Sequence, residues 1–174
     1  MRLPLPLLRS SAAFAAWALL AALSLRAEEP RFTITYNGRT TAWAPAELSR
    51  LPHQDVTAFD SHEKQNHVYS GVPVRDLLAK AGILFGEKLR GKFLRLAVIA
   101  HTRDHYDIVF ALAEFDDAFN SRAILLVDRQ DGQPLPPALG PVRLLVPGDQ
   151  RPARWARMVV SLEVVPVVGA AQAP

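Results

Sequence analysis

The sequence predicts an α+β fold, a mainly antiparallel or mixed β-sheet with a few short helices. Three observations carry that expectation. An Asn37-Gly38 dipeptide lies inside an alternating polar and apolar run, the strongest short-range signal for a hairpin. One stretch, "SGVPVRDLLAKAG", carries a clear helical stripe. The remaining β-rich runs follow one another across polar turns instead of alternating with helices, which argues against a doubly wound parallel sheet.

Taken in order, "RFTITYNGRTTAW" predicts strands at about residues 31–36 and 39–43. Pro45 suits the first turn of a short helix running to Arg50, and Pro52 ends it. "DVTAF" alternates as a strand, "DSHEKQN" is a polar turn and "HVYSG" is the returning partner. In the helix that follows, Ser70 and Pro73 mark the start, Val74, Leu77, Leu78 and Ala81 share one face, and Gly82 is the stop. "FLRLAVIA" and "YDIVFAL" flank "HTRDH" as a second hairpin, and "LAEFDDAFN" reads as one or two helical turns. "AILLVD" is a buried strand, "RQDGQPLPPALGP" a turn-rich excursion, "VRLLVPG" another strand and "MVVSLEVVPV" the last. Residues 28–168 are expected to form one domain, large enough to bury roughly two-thirds of its unfolded surface, with a disordered tail at 169–174.

Residues 1–27 read as an export signal. Arg2 and Arg9 flank a start rich in proline and leucine, and Ala12 to Leu23 is apolar but shorter than the roughly 20 residues of a membrane span. Small residues then lead to expected cleavage after Ala27, the alternative being an uncleaved anchor. The expected location is periplasmic or secreted, with no membrane span after cleavage. Three of the 20 basic residues (Arg2, Arg9 and Arg26) and none of the 17 acidic ones lie in this leader, so the rest of the chain is formally neutral. A neutral domain gives no support for a nucleic-acid partner. The chain has no cysteine, which removes disulfide frameworks, thiolate nucleophiles, cysteine zinc sites and iron–sulfur clusters together.

The five histidines form no compact metal pattern. His62 with His67, and His101 with His105, bracket predicted turns and would converge only if those turns were tight, so no metal ligand is assigned. Ser70 lies in no nucleophile elbow and is explained as a helix cap, and the carboxylates of "EFDD" are read as capping the helical turn that follows. Arg103, Asp104 and His105 sit where a hairpin has to be wet. The arginines near the C-terminus are more informative. Residues 140–174 carry Arg143, Arg151, Arg154 and Arg157 against only Asp149 and Glu163. Arg151 and Arg154 follow a Pro147-Gly148 turn, and guanidinium forks beside free amides suit a phosphate. The competing reading is a solubilising sheet edge with Trp155 packed inward.

The order of these segments resembles the oxidoreductase molybdopterin-binding domain of the sulfite oxidase type. The resemblance covers about Val56 to Val165. It rests on D-G-x-P-L at Asp131 to Leu135, G-P-x-R-L-x-x-P-G at Gly140 to Gly148, and a basic-x-x-basic-Trp run at Arg151 to Trp155. It implies an α+β fold around a pocket for a molybdenum-bearing pterin, with a cysteine thiolate on the metal and basic residues facing the pterin phosphate. Arg143, Arg151 and Arg154 are carried over as candidate cofactor contacts, and Asp104, His105 and Tyr106 as the match to a D-G-Y turn, with His105 in the glycine's place. Ala138 and Leu139 stand where family members tend to have His-Gly, and the metal-ligating cysteine has no counterpart. The expectation is therefore an exported, non-catalytic binding or accessory module for a pterin, another small anion or a periplasmic partner protein. Its competitor is a molybdenum-cofactor oxidoreductase with a non-cysteine ligand, His105 being the first candidate.

Overall fold

The computed structural model describes residues 31–167, so the expected leader and disordered tail lie outside the described residues. Two sheets are built from ten strands. The first has the order β2-β1-β10-β5-β6, from β1 (Phe32–Tyr36), β2 (Arg39–Trp43), β5 (Leu96–Thr102), β6 (Ile108–Ala111) and β10 (Val159–Pro166). The second runs β3-β4-β7-β8, from β3 (Gln54–Asp60), β4 (Gln65–Pro73), β7 (Leu125–Gln130) and β8 (Gln133–Pro134), with the short β9 (Arg143–Leu145) also paired to β7. Every described pairing is antiparallel except β1 with β10. That parallel contact joins the two ends of the described chain, so a mixed sheet arises without any βαβ unit.

The turn chemistry explains the hairpins. Asn37 and Gly38 both have positive φ, 50° and 72°, as a two-residue turn matched to strand twist requires. Asp131 and Gly132 repeat the arrangement between β7 and β8, with φ of 52° and 76°. The β3/β4 turn is tighter than its composition suggests, since pairing extends to Asp60 opposite Gln65.

Among the described residues two helices have α geometry, α1 (Pro45–Leu48) and α2 (Val74–Lys80). The start of α2 corrects the sequence reading. Ser70 does not cap the helix; it lies inside β4, opposite Asp55 of β3 and Arg129 of β7. Pairing on both sides holds the strand extended as far as Pro73, and the first helical amide, Val74, donates to the Ile124 carbonyl at 2.9 Å. A second correction falls at "FLRLAVIA". Gly91 to Arg95 form a 3₁₀ turn and the strand starts only at Leu96, because the Phe93 amide donates back to Arg90.

One continuous buried cluster draws on both sheets and α2, including Ile34, Val98 and Leu162 from the first, Val72, Leu125, Leu126 and Leu144 from the second, and Leu77 and Leu78 from the helix. β4 and β7 approach so closely at the register shift between Ser70 and Gly71 that a Cβ on Gly71 would stand 2.5 Å from the Leu126 carbonyl oxygen. This shift separates the Tyr69 pairing with Gln130 from the Gly71 pairing with Val127, which is also paired to Arg143 of β9. It thereby helps set Tyr69 and Arg143 beside one another.

Candidate functional site

Arg143 is the least expected side chain in the interior. It is 5% exposed and lies between two rings, its guanidinium 5.5 Å from the centroid of Tyr69 and 5.8 Å from that of Trp155. The rings meet edge to face at 6.1 Å and are held from outside, Trp155 by donating its indole N–H to the Val146 carbonyl at 2.9 Å. Arg143 itself makes no hydrogen bond to any described residue, and its Nε is fully buried. Burial pulls its pKa below the ordinary guanidinium value, while Tyr69 and Asp60 oppose that shift; a guanidinium remains charged at neutral pH throughout. A buried cation without a hydrogen-bonded partner is costly and calls for an explanation.

The space above it supplies one. A cleft of about 590 Å³ opens over Arg143. Asp60, His62 and Glu63 of the β3/β4 turn line one side, Asp104 and Tyr106 of the β5/β6 turn another, and Leu139 with the segment Pro152 to Arg157, except Arg154, the rest. Backbone bonds stitch these walls together. Leu144 donates to Ala156, Met158 to Leu139 and Arg103 to Met158, at 2.8, 2.9 and 3.0 Å. The Tyr106 hydroxyl reaches across to donate to the Ala153 carbonyl at 3.1 Å.

Of the carboxylates around the cleft Asp60 acts most strongly on the charge of Arg143, yet its oxygens are committed elsewhere. Oδ1 accepts the amides of His62 and Glu63 at 2.8 and 3.3 Å, and Oδ2 accepts the Tyr69 hydroxyl at 3.3 Å. Burial pushes the Asp60 pKa up, but these amides, the charge of Arg143 and the Tyr69 hydroxyl together hold it below the usual value. The Tyr69 hydroxyl is pushed up to about 12, chiefly by burial. Behind Tyr69 the buried His67 is bracketed by Asp131 at 2.6 Å on Nδ1 and Glu63 at 2.9 Å on Nε2. The hydrogen bond to Asp131 raises the His67 pKa, against the opposing effect of burial.

The structure treats the sequence-derived candidates differently. Arg143 forms the floor of the cleft, and Asp104 and Tyr106 line its wall. His105 lies outside the lining and adopts φ of 61°, the backbone conformation that glycine serves in the matching family turn. Arg151 is exposed and outside the lining. Arg154 turns away from the cleft: it grips Asp149 with two bonds of 2.7 and 2.9 Å and Glu114 with one of 2.7 Å, and lies over the Phe110 ring at 4.8 Å. Those carboxylates, Asp149 first, raise its pKa. Sequence reasoning missed Asp60 and Glu63. The only signal was their place in a polar hairpin turn, whose position opposite the arginine segment is set by sheet topology.

The two halves of a molybdenum–pterin group fare unequally against these residues. Arg143, buried and without a hydrogen bond, suits an anionic part. The metal-bearing part does not fit: the chain has no cysteine to supply a thiolate. Among the described residues, no cluster of three or more His, Asp or Glu side chains is placed to hold a metal ion. No redox step can therefore be derived from this site.

Comparison with known proteins agrees with the architecture. The family described as oxidoreductase molybdopterin binding domain matches residues 24–168. Among solved structures, the sulfane dehydrogenase SoxCD from Paracoccus pantotrophus is similar, with a TM-score of 0.59 and 21% identity over 77% of this chain and 37% of that one. The chain thus spans well under half the length of that protein, and at this identity the likeness speaks to fold alone. No match was found among curated proteins. With the family match running through both sheets and every wall of the cleft, the chain belongs to the oxidoreductase molybdopterin binding domain family.

Proposed function

We propose that this protein is an exported, non-redox binding or accessory module that uses the molybdopterin-type cleft to hold a small anion, a pterin phosphate or another anionic ligand. One observation carries the proposal: Arg143 presents to an open cleft a buried charge with no hydrogen-bonded partner among the described residues, in a chain with no thiolate for molybdenum. A family-type active site would spend that charge on a cofactor phosphate and rely on the metal for chemistry. Here only the first half of that arrangement has its residues.

The test is to express the full chain with active cofactor synthesis, recover it from the periplasm, and measure molybdenum and pterin. Inorganic phosphate is then titrated into the protein and into Arg143→Met. The expected result is molybdenum far below one per chain and saturable phosphate binding that Arg143→Met abolishes. Stoichiometric molybdenum overturns the non-redox reading, and absence of phosphate and pterin binding overturns the anion reading. Recovery only from the cytoplasm, with the leader intact, overturns export. The competing oxidoreductase with a histidine ligand gains nothing from His105, whose side chain lies outside the cleft lining.

A further inference from the structure

The walls of the cleft carry more negative than positive groups. Its lining holds the guanidiniums of Arg143 and Arg157 against the carboxylates of Asp60, Glu63 and Asp104. Depth separates them: Arg143 is buried, whereas Glu63, Asp104 and Arg157 are exposed at the mouth. A bare multivalent anion would satisfy Arg143 but meet two carboxylates against the single guanidinium of Arg157 on entry, a less favourable approach than a site evolved around phosphate alone would offer. A ligand with charge of both signs resolves the conflict.

We propose that the cleft selects a small organic zwitterion, whose anionic group pairs with Arg143 and whose ammonium group lies among Glu63, Asp104 and the ring of Tyr106. The inference rests on the anion-site reading above and adds the chemistry of the ligand's other end. Three features support it. The Asp104 carboxylate accepts the Thr102 hydroxyl at 2.5 Å, a bond that holds its pKa below the usual value and keeps it ionised. Glu63 is tied at Oε2 by His67, so its carboxylate is oriented. Tyr106 lines the same wall as Asp104 and is held there by its bond to Ala153, and an aromatic ring in a cleft lined by carboxylates is a favourable surround for an ammonium ion. The cleft volume of about 590 Å³ falls within the range of small-molecule sites.

Two probes sharing a phosphate monoester isolate the ammonium contribution: O-phosphoethanolamine, which carries it, and glycerol 3-phosphate, which carries hydroxyls instead. Calorimetric titration of each into the purified full chain at neutral pH and low salt is expected to show phosphoethanolamine binding about fivefold tighter. In Glu63→Gln/Asp104→Asn that ratio is expected to fall to about one. The single Glu63→Gln variant, altered at an exposed carboxylate, gives the same readout with a partial fall if the double variant does not fold. Equal or tighter binding of glycerol 3-phosphate, or a ratio unchanged in the variants, overturns the zwitterion proposal and leaves the anion site standing. Failure of both probes and of inorganic phosphate to bind overturns both.

Discussion

Arg143 and Arg154 stand eleven positions apart on either side of the same Pro-Gly turn, yet the fold uses them in opposite ways. Arg154 has a partner for each guanidinium nitrogen, and its fork closes the 149–154 loop onto the turn that carries Glu114. Arg143 has two aromatic faces and no hydrogen bond to any described residue, though it is the more deeply buried. A saturated cation at intermediate exposure contributes to structure. An unsaturated cation in the interior is a standing cost that a ligand can remove. The arginines of this segment are thus two devices: Arg154 a clamp beside one wall of the cleft, and Arg143 a buried cation at its floor with no hydrogen bond to a described residue.

Removing the Arg154 clamp has the largest expected effect. Arg154→Ala leaves Asp149 and Glu114 as neighbouring carboxylates without their cation. It is expected to destabilise the fold by about 2 kcal/mol, solvent access moderating what a fully buried pair would lose. Urea denaturation measures it, and a loss below about 0.5 kcal/mol would show that the clamp is ornamental. Arg143→Met should move stability the other way, by about 1 kcal/mol in ligand-free buffer, because a buried charge without a hydrogen bond gives way to an apolar side chain, which outweighs the lost ring contacts and the lost attraction to Asp60. A destabilised Arg143→Met would mean that the rings and Asp60 together compensate the charge, and would remove the reason for a ligand.

The two arginines also mark where the sequence was legible. Local chemistry was readable: Asn37-Gly38 announced its hairpin, and Gly82, at φ of 94°, closes α2 where the pattern placed its stop. The order of motifs pointed to the family, and Arg143 fell within one of them. Which arginine would face the cleft was not readable, because the answer lies in Glu114, forty residues away, and in Asp60, whose lone pairs go to the amides of His62 and Glu63 and the hydroxyl of Tyr69. The cap reading of "EFDD" was correct in kind and incomplete in reach. Asp116 accepts the Ala118 amide in the following turn, but Glu114 caps backward, onto the Ala111 amide, and clamps Arg154 with its other oxygen. Ser70 misled because its identity suits a cap, while sheet pairing on both sides claimed its backbone first.

Glu114→Gln refines the clamp at smaller amplitude. The amide oxygen can still accept from Ala111, and Arg154 keeps both bonds to Asp149, so a loss of about 0.5–1 kcal/mol is expected in the same denaturation assay. A loss as large as that of Arg154→Ala would place the clamp's strength in Glu114 alone.

His67 provides a cation between the two extremes, buried like Arg143 but paired like Arg154, and unlike either it is an imidazole that can lose its proton. Its folded pKa lies above the ordinary 6.5, so its contribution to stability is complete below pH 6.5 and is lost as pH rises through the folded value. Asp131 shifts the other way, below 3.8, through the same hydrogen bond, so its contribution is present above that value and fades in acid as pH falls through its folded pKa. The pair should be strongest between those limits and weaken into the alkaline range. Thermal melts from pH 6 to pH 9 should therefore show a decline in the native protein that is flatter in His67→Gln, since glutamine keeps hydrogen bonds without the proton. Parallel pH profiles would assign the decline to other groups. Because Glu63 connects His67 to the mouth of the cleft, loss of the His67 charge also leaves that carboxylate without its cation, so ligand affinity and stability should respond to pH over the same interval.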